Sequence, residues 1–214
     1  MAAPMTSQTV SQSPEPLGVV AAVVVAESAE RLEACLAAVR RQVYGVSQVF
    51  VVGGDDHVRG VAGEHEALWR SRLKAALASL APETEYVWLL RDGARPRPDA
   101  LSALVRDGAR AEASVAGSKV LQAADPAVLV SVGYATDVFD APYSGLQAGE
   151  LDQQQYDVIR AVAAVSGVSM LVRLDLYRGI GGLDYSLAPM AAAVDFCQRA
   201  RLRGARVVVV PSSE

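Results

Sequence analysis

Short apolar runs alternate along this chain with segments in which apolar residues recur every three or four positions. The first run, Val19–Val25, is apolar at every position, which predicts an interior parallel strand with helices on both sides. A helical pattern follows from Ser28, a typical helix-capping residue, to Val39. Val49–Val52 predicts a second strand, so the first part of the chain indicates a β-α-β unit.

The same alternation continues towards the C-terminus. It predicts helices over Glu64–Leu80, Asp99–Val105 and Ala191–Leu202, and strands over Tyr86–Leu90, Ser114–Val120 and Val207–Val210. Strands and helices in alternation favour the α/β class, with an open, mixed, mostly parallel sheet and helices on both faces. Ligands of such sheets bind beyond the carboxyl ends of the strands, so we expect the functional site there.

A different pattern lies between the fourth predicted strand and the last predicted helix. Short strand-like pieces at Val128–Val132 and Tyr134–Phe139 are followed by a polar stretch, Tyr143–Asp157, which we interpret as a loop-rich insertion near the site. Strand-like pieces return at Val162–Val165 and Ser169–Val172. This part of the chain is therefore expected to add loops to the regular alternating sheet.

The composition fits one globular domain. The chain has 214 residues, of which 51% are hydrophobic and 21% charged, enough to bury a sizeable core without disulfides or a structural metal. Residues 1–16, rich in Ser, Gln and Pro, predict a flexible tail, and residues 17–214 the domain. The formal net charge of -4 provides no field that attracts a polyanion, so we expect no nucleic acid partner.

Cysteine usage and hydropathy indicate the compartment. Cys35 and Cys197 fall on helical patterns among alanines and leucines, which favours buried thiols in a reducing compartment over a secreted disulfide framework. No apolar run reaches the roughly 18 residues that span a bilayer. The N-terminus lacks the basic and apolar segments of a signal peptide. We therefore expect a cytoplasmic protein.

Three stretches of the sequence carry a recognisable pattern. They are Glu85–Pro96 with Pro98–Leu101, Ser166–Arg173 with Gly181–Asp184, and Asp195–Arg201 with Gly204–Pro211. Together they resemble family 2 glycosyltransferases with the GT-A fold, and the likeness covers most of the chain from Val19 onward. The tract Gly149–Asp157 is also similar to actinobacterial cell-envelope members of that family.

The resemblance implies transfer of a sugar from a nucleotide-diphospho sugar to a cell-envelope glycan or a lipid-linked acceptor, with inversion at the anomeric carbon. It also implies a location at the inner face of the plasma membrane, with peripheral membrane contact or a membrane-embedded partner. Relatives continue beyond the closing strand into further helices or membrane segments. The likeness therefore implies that the domain is truncated at its C-terminus.

The metal-binding motif of that family is incomplete here. Its members hold Mg²⁺ or Mn²⁺ with an Asp-x-Asp triplet, because hard cations prefer carboxylate and phosphate oxygens. The matching triplet is Arg91-Asp92-Gly93, which leaves Asp92 as the candidate metal ligand of a weakened site. Arg91, Arg95 and Arg97 offer a second route to the donor, because guanidinium groups bind phosphate oxygens bidentately. An exposed basic turn is the alternative interpretation.

The acceptor-side base is also altered. An inverting transferase needs a carboxylate that takes the proton from the acceptor hydroxyl, and the usual acidic pair reads Ala192-Ala193. Asp195 is the candidate catalytic residue, although a shift of two residues turns a helical side chain by about 200°. The alternative is an acid in the first turn of the helix, where it interacts favourably with the helix dipole.

Three further acids are candidates for donor binding. The resemblance places an acid that hydrogen-bonds the nucleobase after the second strand, where this chain has Gly53-Gly54 before Asp55 and Asp56. Glu27 follows the first strand, near the expected position of the ribose or base. A solvated turn explains Asp55 and Asp56 equally well, and Glu27 is explained by an ordinary loop acid.

A different class of function stays open beside the enzyme. Because acids are missing at Arg91, Gly93, Ala192 and Ala193, the chain also fits a catalytically inactive GT-A domain that acts as a binding or scaffolding module. Near the C-terminus, basic residues 199, 201, 203 and 206 form a cluster that could contact an anionic lipid or a lipid-diphosphate acceptor. A solvated helix face is the other interpretation of that cluster.

Overall fold

The computed structural model describes residues 18–138 and 141–214. The predicted tail, residues 1–16, and Phe139, the end of one predicted strand, lie outside the described residues. The helices are α1 (Ala29–Arg40), α2 (Asp56–Glu64), α3 (Leu73–Ala78), α4 (Ala100–Arg110), α5 (Leu174–Gly179) and α6 (Pro189–Leu202). The strands are β1 (Val20–Val25), β2 (Gln48–Val52), β3 (Leu68–Arg70), β4 (Tyr86–Arg91), β5 (Val115–Ser118), β6 (Val120–Leu121), β7 (Leu129–Ser131), β8 (Ala135–Thr136), β9 (Pro142–Tyr143), β10 (Arg160–Ala161), β11 (Ser169–Arg173) and β12 (Val207–Val210).

Eight of the strands form one mixed sheet, in the order β10-β12-β5-β11-β4-β1-β2-β3. Parallel pairs join β1 to β2 and β4, β2 to β3, and β5 to β12, whereas β11 is antiparallel to both of its neighbours and β10 to β12. The predicted α/β class with a mixed, mostly parallel sheet is confirmed. The carboxyl ends of β1, β2, β4 and β5 consequently meet at one edge, together with the start of β11.

The core lies on both faces of the sheet. Along β1, Ala22 and Val24 join a cluster with α1, α2 and α4, while Ala21 and Val23 join a second cluster with α3, α5 and α6. Because alternate side chains of a strand point to opposite faces, a strand covered on both faces must be apolar throughout. The unbroken apolar run of the first strand is thereby explained, and its predicted interior position is confirmed.

The predicted helix over Glu64–Leu80 is wrong. The chain forms α2 before this segment, then the short strand β3, then α3. The chain turns after α2 at Glu66, which has a positive φ of 50°, and Leu68 then pairs in parallel with Phe50 of β2. The Trp69 indole Nε1 donates a hydrogen bond to the Gly53 carbonyl at 2.9 Å. Pairing with the sheet thus overrides the helical spacing of the apolar residues, which describes only α3 correctly.

Other boundaries differ in ways that affect the site. The last helix begins at Pro189, two residues before the predicted start, so its first turn holds no acidic residue. Asp195 lies in the second turn, and the interpretation of Asp195 as a first-turn acid is wrong. The predicted strand Val162–Val165 is reduced to one bridge between Tyr134 and Ala164. Within the described ranges, no helix combines the length and the apolar character needed to cross a bilayer.

Candidate functional site

The two turns singled out in the sequence lie close together at the carboxyl edge of the sheet. Val25, the last residue of β1, pairs with Val52 on one side and with Arg91 on the other. Neighbouring strands are about 4.8 Å apart, so the turns that leave β2 and β4 are about 10 Å apart, with the end of β1 between them. The fold therefore brings both candidate turns to one site.

Asp92 is buried at this edge and is bound to the start of α1. Its Oδ2 accepts hydrogen bonds from the backbone N–H groups of Glu27 and Ser28, both at 2.8 Å, and from Arg31 Nη2 at 3.3 Å. Ser28 occupies the helix N-cap as predicted, but its side chain makes no capping hydrogen bond. The Asp92 carboxylate, 65 residues away from Glu27, instead satisfies the free N–H groups of the helix terminus.

Four charged side chains alternate in sign around this helix terminus. Arg91 Nη2 lies 2.7 Å from Glu27 Oε1, and Arg31 Nη2 lies 3.7 Å from Glu27 Oε2 and 3.3 Å from Asp92 Oδ2. The structure thus brings together three predicted donor-binding residues and adds Arg31. Because the Glu27 side chain is 60% exposed, its pairs contribute little stability and an anionic ligand can displace it from Arg91 at modest cost.

The other predicted donor residues lie on either side of this cluster. Asp55 caps α2 by accepting hydrogen bonds from the N–H groups of His57 and Val58, both at 3.1 Å. The hydrogen bond from Val58 is the main reason that the pKa of Asp55 lies below its usual value. Asp56 is exposed in the first turn of the same helix. Arg95 is exposed beyond β4 and lines a small cavity next to Lys119.

Asp195 is part of an ion pair that holds a neighbouring turn. Its Oδ2 accepts hydrogen bonds from Arg199 Nη2 at 2.6 Å and from Nε at 3.0 Å. The same guanidinium donates to the carbonyls of Ile180 and Gly182, at 2.6 and 2.7 Å. Asp195 thereby positions Arg199, which fixes the turn after α5. A catalytic role for Asp195 stays a prediction.

A cavity of about 940 Å³ opens over the carboxyl ends of β1 and β2, and we call it the edge cavity. Val25 and Val52 form its apolar floor, and the turn held by Arg199 forms one wall. Its cationic lining consists of Arg72, Lys74 and Arg178, and no Asp or Glu is among the described residues that line it. This combination of an apolar floor and positive walls suits a ligand with an aromatic base and an anionic group.

Two tyrosines complete the wall of the edge cavity. The Tyr177 hydroxyl accepts a hydrogen bond from the Leu183 N–H at 3.0 Å. Burial raises the pKa of Tyr185, and the neighbouring Tyr177 raises that pKa further. The two hydroxyls are hydrogen-bonded to each other and stay protonated at neutral pH, so the pair keeps one O–H group that can donate to a ligand. The sequence pattern did not single out these tyrosines. It also missed Arg72 and Lys74, because it predicts one continuous helix over residues 64–80.

A buried lysine marks a second cavity on the same edge, of about 250 Å³. Lys119, which follows β5, is 2% exposed, and its Nζ lies 2.6 Å from Asp152 Oδ2, 3.0 Å from Asp157 Oδ1 and 2.7 Å from Glu214 Oε1. Arg97 Nη1 lies 2.5 Å from the other oxygen of Glu214. These contacts hold the predicted insertion, residues 143–157, beside the edge of the sheet.

The described side chains do not fit a divalent cation held by the protein alone. Within residues 18–138 and 141–214, no group of three or more His, Cys, Asp and Glu side chains is placed to hold a metal ion. Asp92 Oδ2 is already used by three hydrogen-bond donors. Metal coordination by Asp92 stays a prediction, and any cation here would need most of its oxygen ligands from a bound diphosphate and water.

Gly54, in the turn that borders the edge cavity, should not tolerate a side chain. Its φ is +71°, and an added Cβ would lie 2.5 Å from Val58 Cβ. We expect Gly54→Ala to lower the free energy of unfolding by about 1–3 kcal/mol. Gly60→Ala is the control, because a Cβ at this helical position meets no atom within 4 Å and should stabilise by about 0.5–1 kcal/mol. Equal urea-unfolding midpoints for the two variants would contradict the expectation.

Comparisons with known proteins show where this architecture recurs. Mannosyltransferase PcManGT from Pyrobaculum calidifontis, solved in complex with GDP-Man and Mn²⁺, is 17% identical, with a TM-score of 0.63 over 91% of this chain and 55% of its own. GalNAc-T7, solved with UDP, GalNAc and Mn²⁺, is 13% identical, with a TM-score of 0.68 over 93% of this chain and 43% of its own. This chain thus spans about half the length of those solved chains.

No family model matches the sequence, and no curated protein sequence matches it. The likeness therefore comes from the arrangement of helices and strands in space, at identities that are informative about fold alone. The eight-stranded mixed sheet of this chain, with helices on both faces, superposes on these neighbours with TM-scores of 0.63 and 0.68. The fold of this chain is that of the GT-A glycosyltransferases.

Proposed function

We propose that this chain is a glycosyltransferase domain that transfers a sugar from a nucleotide-diphospho sugar to a glycan or lipid-linked acceptor. The observation that carries the proposal is the edge cavity, with its apolar floor, its cationic wall and its position at the carboxyl ends of β1 and β2. The fold supports it, because solved proteins of this architecture include one that holds GDP-Man and one that holds UDP. Membership of family 2, inversion and a cell-envelope acceptor at the inner membrane face belong to the same proposal.

The donor would lie with its base over the apolar floor and its diphosphate towards the cations. Loss of the nucleotide diphosphate creates an anion, which must be stabilised as the glycosidic bond breaks. Arg72 and Lys74 line the cavity, and Arg91 lies at the end of β4 beside Val25. Arg72 and Lys74 form none of the ion pairs among the described residues, so they can bind phosphate without losing a partner.

We expect these cations to neutralise most of the diphosphate charge that a metal ion would otherwise neutralise. We therefore expect a nucleotide-diphospho sugar to bind in the presence of EDTA. Substitution of Arg72 by alanine should weaken that binding at least about tenfold, because one charge-assisted hydrogen bond to phosphate is worth roughly 1.5–3 kcal/mol. Arg41→Ala is the matched control, since Arg41 is exposed at the C-terminal end of α1 and does not line the cavity.

Calorimetric titration with UDP-, GDP- and TDP-sugars, with EDTA or with Mn²⁺, tests these expectations. Binding in EDTA that Arg72→Ala weakens and Arg41→Ala leaves unchanged supports the cationic route. Binding that requires Mn²⁺ would refute the cationic route and support Asp92 as a metal ligand. Failure of every donor to bind in either condition would overturn the proposal.

A binding or scaffolding module is the second candidate function. Ala192 and Ala193, at the expected positions of the acidic pair, are 5% and 1% exposed and pack in the core beside Gly167. Asp195, the nearest remaining acid on α6, is bound to Arg199. A domain that binds a nucleotide sugar but releases no nucleotide diphosphate over several hours with any acceptor extract would support this candidate.

A further inference from the structure

A basic cavity, different from the edge cavity and from the cavity beside Lys119, lies at the opposite end of the sheet, and we call it the arginine cavity. Its volume is about 630 Å³, and its cationic lining consists of Arg160 on β10, Arg201 near the end of α6 and Arg206 just before β12. In the sheet order, β10 is five strands away from β1, which places the two cavities roughly 24 Å apart along the sheet. Arg206 also precedes its strand, so this cavity opens towards the amino ends of β5 and β12.

The charges of the arginine cavity lack acidic partners. No Asp or Glu is among the described residues that line it. Elsewhere in residues 18–138 and 141–214, eight arginines form ion pairs with carboxylates, and Arg160, Arg201 and Arg206 are not among them. Like charges that converge on a concave surface raise its positive potential, which favours binding of an anion.

One of the three guanidinium groups is already held in place. Arg160 Nη2 donates a hydrogen bond to the Val132 carbonyl at 2.9 Å, and its Cζ lies 5.1 Å from the centre of the Tyr156 ring. A carbonyl and an aromatic face orient the group but leave its positive charge available. The position of Arg201 in the last turn of α6 is explained by the helix dipole, whereas that dipole does not explain the convergence of Arg160 and Arg206.

Polar groups around the arginines indicate the kind of anion. Thr136, Tyr143 and Ser144 line the same cavity and carry hydroxyl groups, which suit the hydroxyls of a sugar or a phosphate oxygen. The volume exceeds that of an isolated phosphate and lies within the range of small-ligand sites. Several guanidinium groups around one cavity favour a doubly charged ligand, because each binds phosphate oxygens bidentately.

We propose that the arginine cavity is a second anion site, separate from the edge cavity, that binds the diphosphate or phosphate group of a sugar-bearing molecule. This inference does not depend on the donor site, because it uses none of the residues of the edge cavity. The ligand is either a soluble sugar phosphate or the headgroup of a lipid diphosphate at a membrane surface. Both present the same phosphate chemistry to the three arginines.

Inorganic pyrophosphate is the probe, titrated calorimetrically into an Arg72→Ala/Lys74→Ala variant of the full chain, in which the edge cavity has lost two cations. We expect binding to persist in this background and to weaken at least tenfold when Arg201→Ala and Arg206→Ala are added. Arg203→Ala is the matched control, because Arg203 is exposed on the same segment but does not line the cavity. When Arg203→Ala is added to the Arg72→Ala/Lys74→Ala variant, the affinity for pyrophosphate should change by less than about twofold.

Two results would overturn the proposal. One is equal pyrophosphate affinity with and without Arg201 and Arg206, and the other is an equal loss in Arg203→Ala, which would indicate a diffuse charge effect. A variant with lysine at positions 201 and 206 guards against misfolding, since it keeps the charge and should retain part of the affinity. If nucleotide sugars bind the unaltered chain and the Arg72→Ala/Lys74→Ala variant equally well, the donor site is refuted, whereas the comparison at Arg201 and Arg206 is unaffected.

Vesicles distinguish the two sources of the ligand. Phosphatidylcholine vesicles that contain farnesyl diphosphate should retain the chain if the phosphate belongs to a lipid, and free pyrophosphate should then release it. If the vesicles retain nothing while pyrophosphate still binds through Arg201 and Arg206, the ligand is a soluble phosphate. If phosphatidylglycerol vesicles bind the chain and pyrophosphate does not, the surface recognises membrane charge in general and the proposal is wrong.

Discussion

Replacing Lys119 with methionine is expected to lower the free energy of unfolding by about 3–5 kcal/mol, because removal of one partner leaves buried charge without compensation. The lysine is almost fully buried and contacts carboxylates from Asp152, Asp157 and Glu214. Without the ammonium group, the largely buried carboxylates of Asp152 and Glu214 and the more exposed carboxylate of Asp157 lose their common cation and repel one another. Urea unfolding followed by circular dichroism measures the loss.

Two further variants distinguish the loss of charge compensation at Lys119 from a nonspecific loss of stability. Arg173→Ala removes an exposed pair with Asp175 at 2.5 Å, and exposed pairs contribute roughly 0–1 kcal/mol, so its midpoint should barely move. Adding Asp152→Asn to the Lys119→Met variant removes one of the uncompensated charges and should restore part of the stability. If the double variant is no more stable than Lys119→Met alone, the charge explanation fails.

The pH dependence of the Lys119→Met deficit follows from Asp152. Burial raises the pKa of Asp152, but the hydrogen bond with Lys119 and one from the Gln154 N–H outweigh burial and hold the pKa below its usual value. A carboxyl group with a lower pKa in the folded state stabilises the fold above its unfolded pKa, and this contribution is lost as the pH falls through the folded pKa. We therefore expect the difference between the unaltered chain and Lys119→Met to narrow below about pH 4.

Replacing Asp92 with alanine should cost about 2–4 kcal/mol of stability, because a buried acceptor of several hydrogen bonds is lost from a helix terminus. The N–H groups of Glu27 and Ser28 would lose their partner in a partly buried site. Asp92→Asn keeps an oxygen acceptor of similar shape but loses the charge that strengthens its hydrogen bonds, so we expect it to cost about 1 kcal/mol. Thermal and urea unfolding of both variants measure the difference.

A matched control exists at another helix. Asp99 occupies the N-cap of α4 but makes no side-chain capping bond, so Asp99→Ala should change stability by less than about 0.5 kcal/mol. The asparagine variant also distinguishes a structural Asp92 from a metal-binding one. A structural Asp92 predicts that Asp92→Asn binds the donor normally in EDTA. A loss of at least tenfold in donor affinity, confined to solutions with Mn²⁺, would establish Asp92 as a metal ligand.

The interior strands were predictable from sequence because burial on both faces makes them apolar throughout. The run that begins at Val19 predicts β1 within one residue, and the pattern after Ser28 predicts α1. The segment over Glu64–Leu80 was not predictable in the same way, since its helical spacing competes with a strand that forms only through pairing with β2. Nor does local pattern reveal direction, and the antiparallel placement of β11 depends on contacts with β4 and β5.

The functional site was likewise predictable from the sequence only in part. Parallel strands end at one edge, so the sequence predicted a functional site beyond the carboxyl ends of the strands, where the turns at Gly53 and Arg91 lie. It did not predict the use of Asp92, because a hydrogen bond to Glu27 joins residues 65 positions apart. Arg72 and Lys74 became visible only when the true course of residues 64–80 placed them beside a cavity.

The reversed strand β11 also determines when during synthesis the domain can complete its sheet. Within the described residues, it is the strand of the sheet that lies between β4 on one side and β5 with β12 on the other. The buried Trp88 donates its indole hydrogen bond to Ser169, 81 residues later, and Ser169 contacts Ser118, which contacts Ser213. A nascent chain can form the β1-α1-β2 unit early, but the tryptophan has no partner until β11 leaves the ribosome. The sheet can therefore be completed only after synthesis of β11, through contacts between residues far apart in the sequence, and such contacts form slowly.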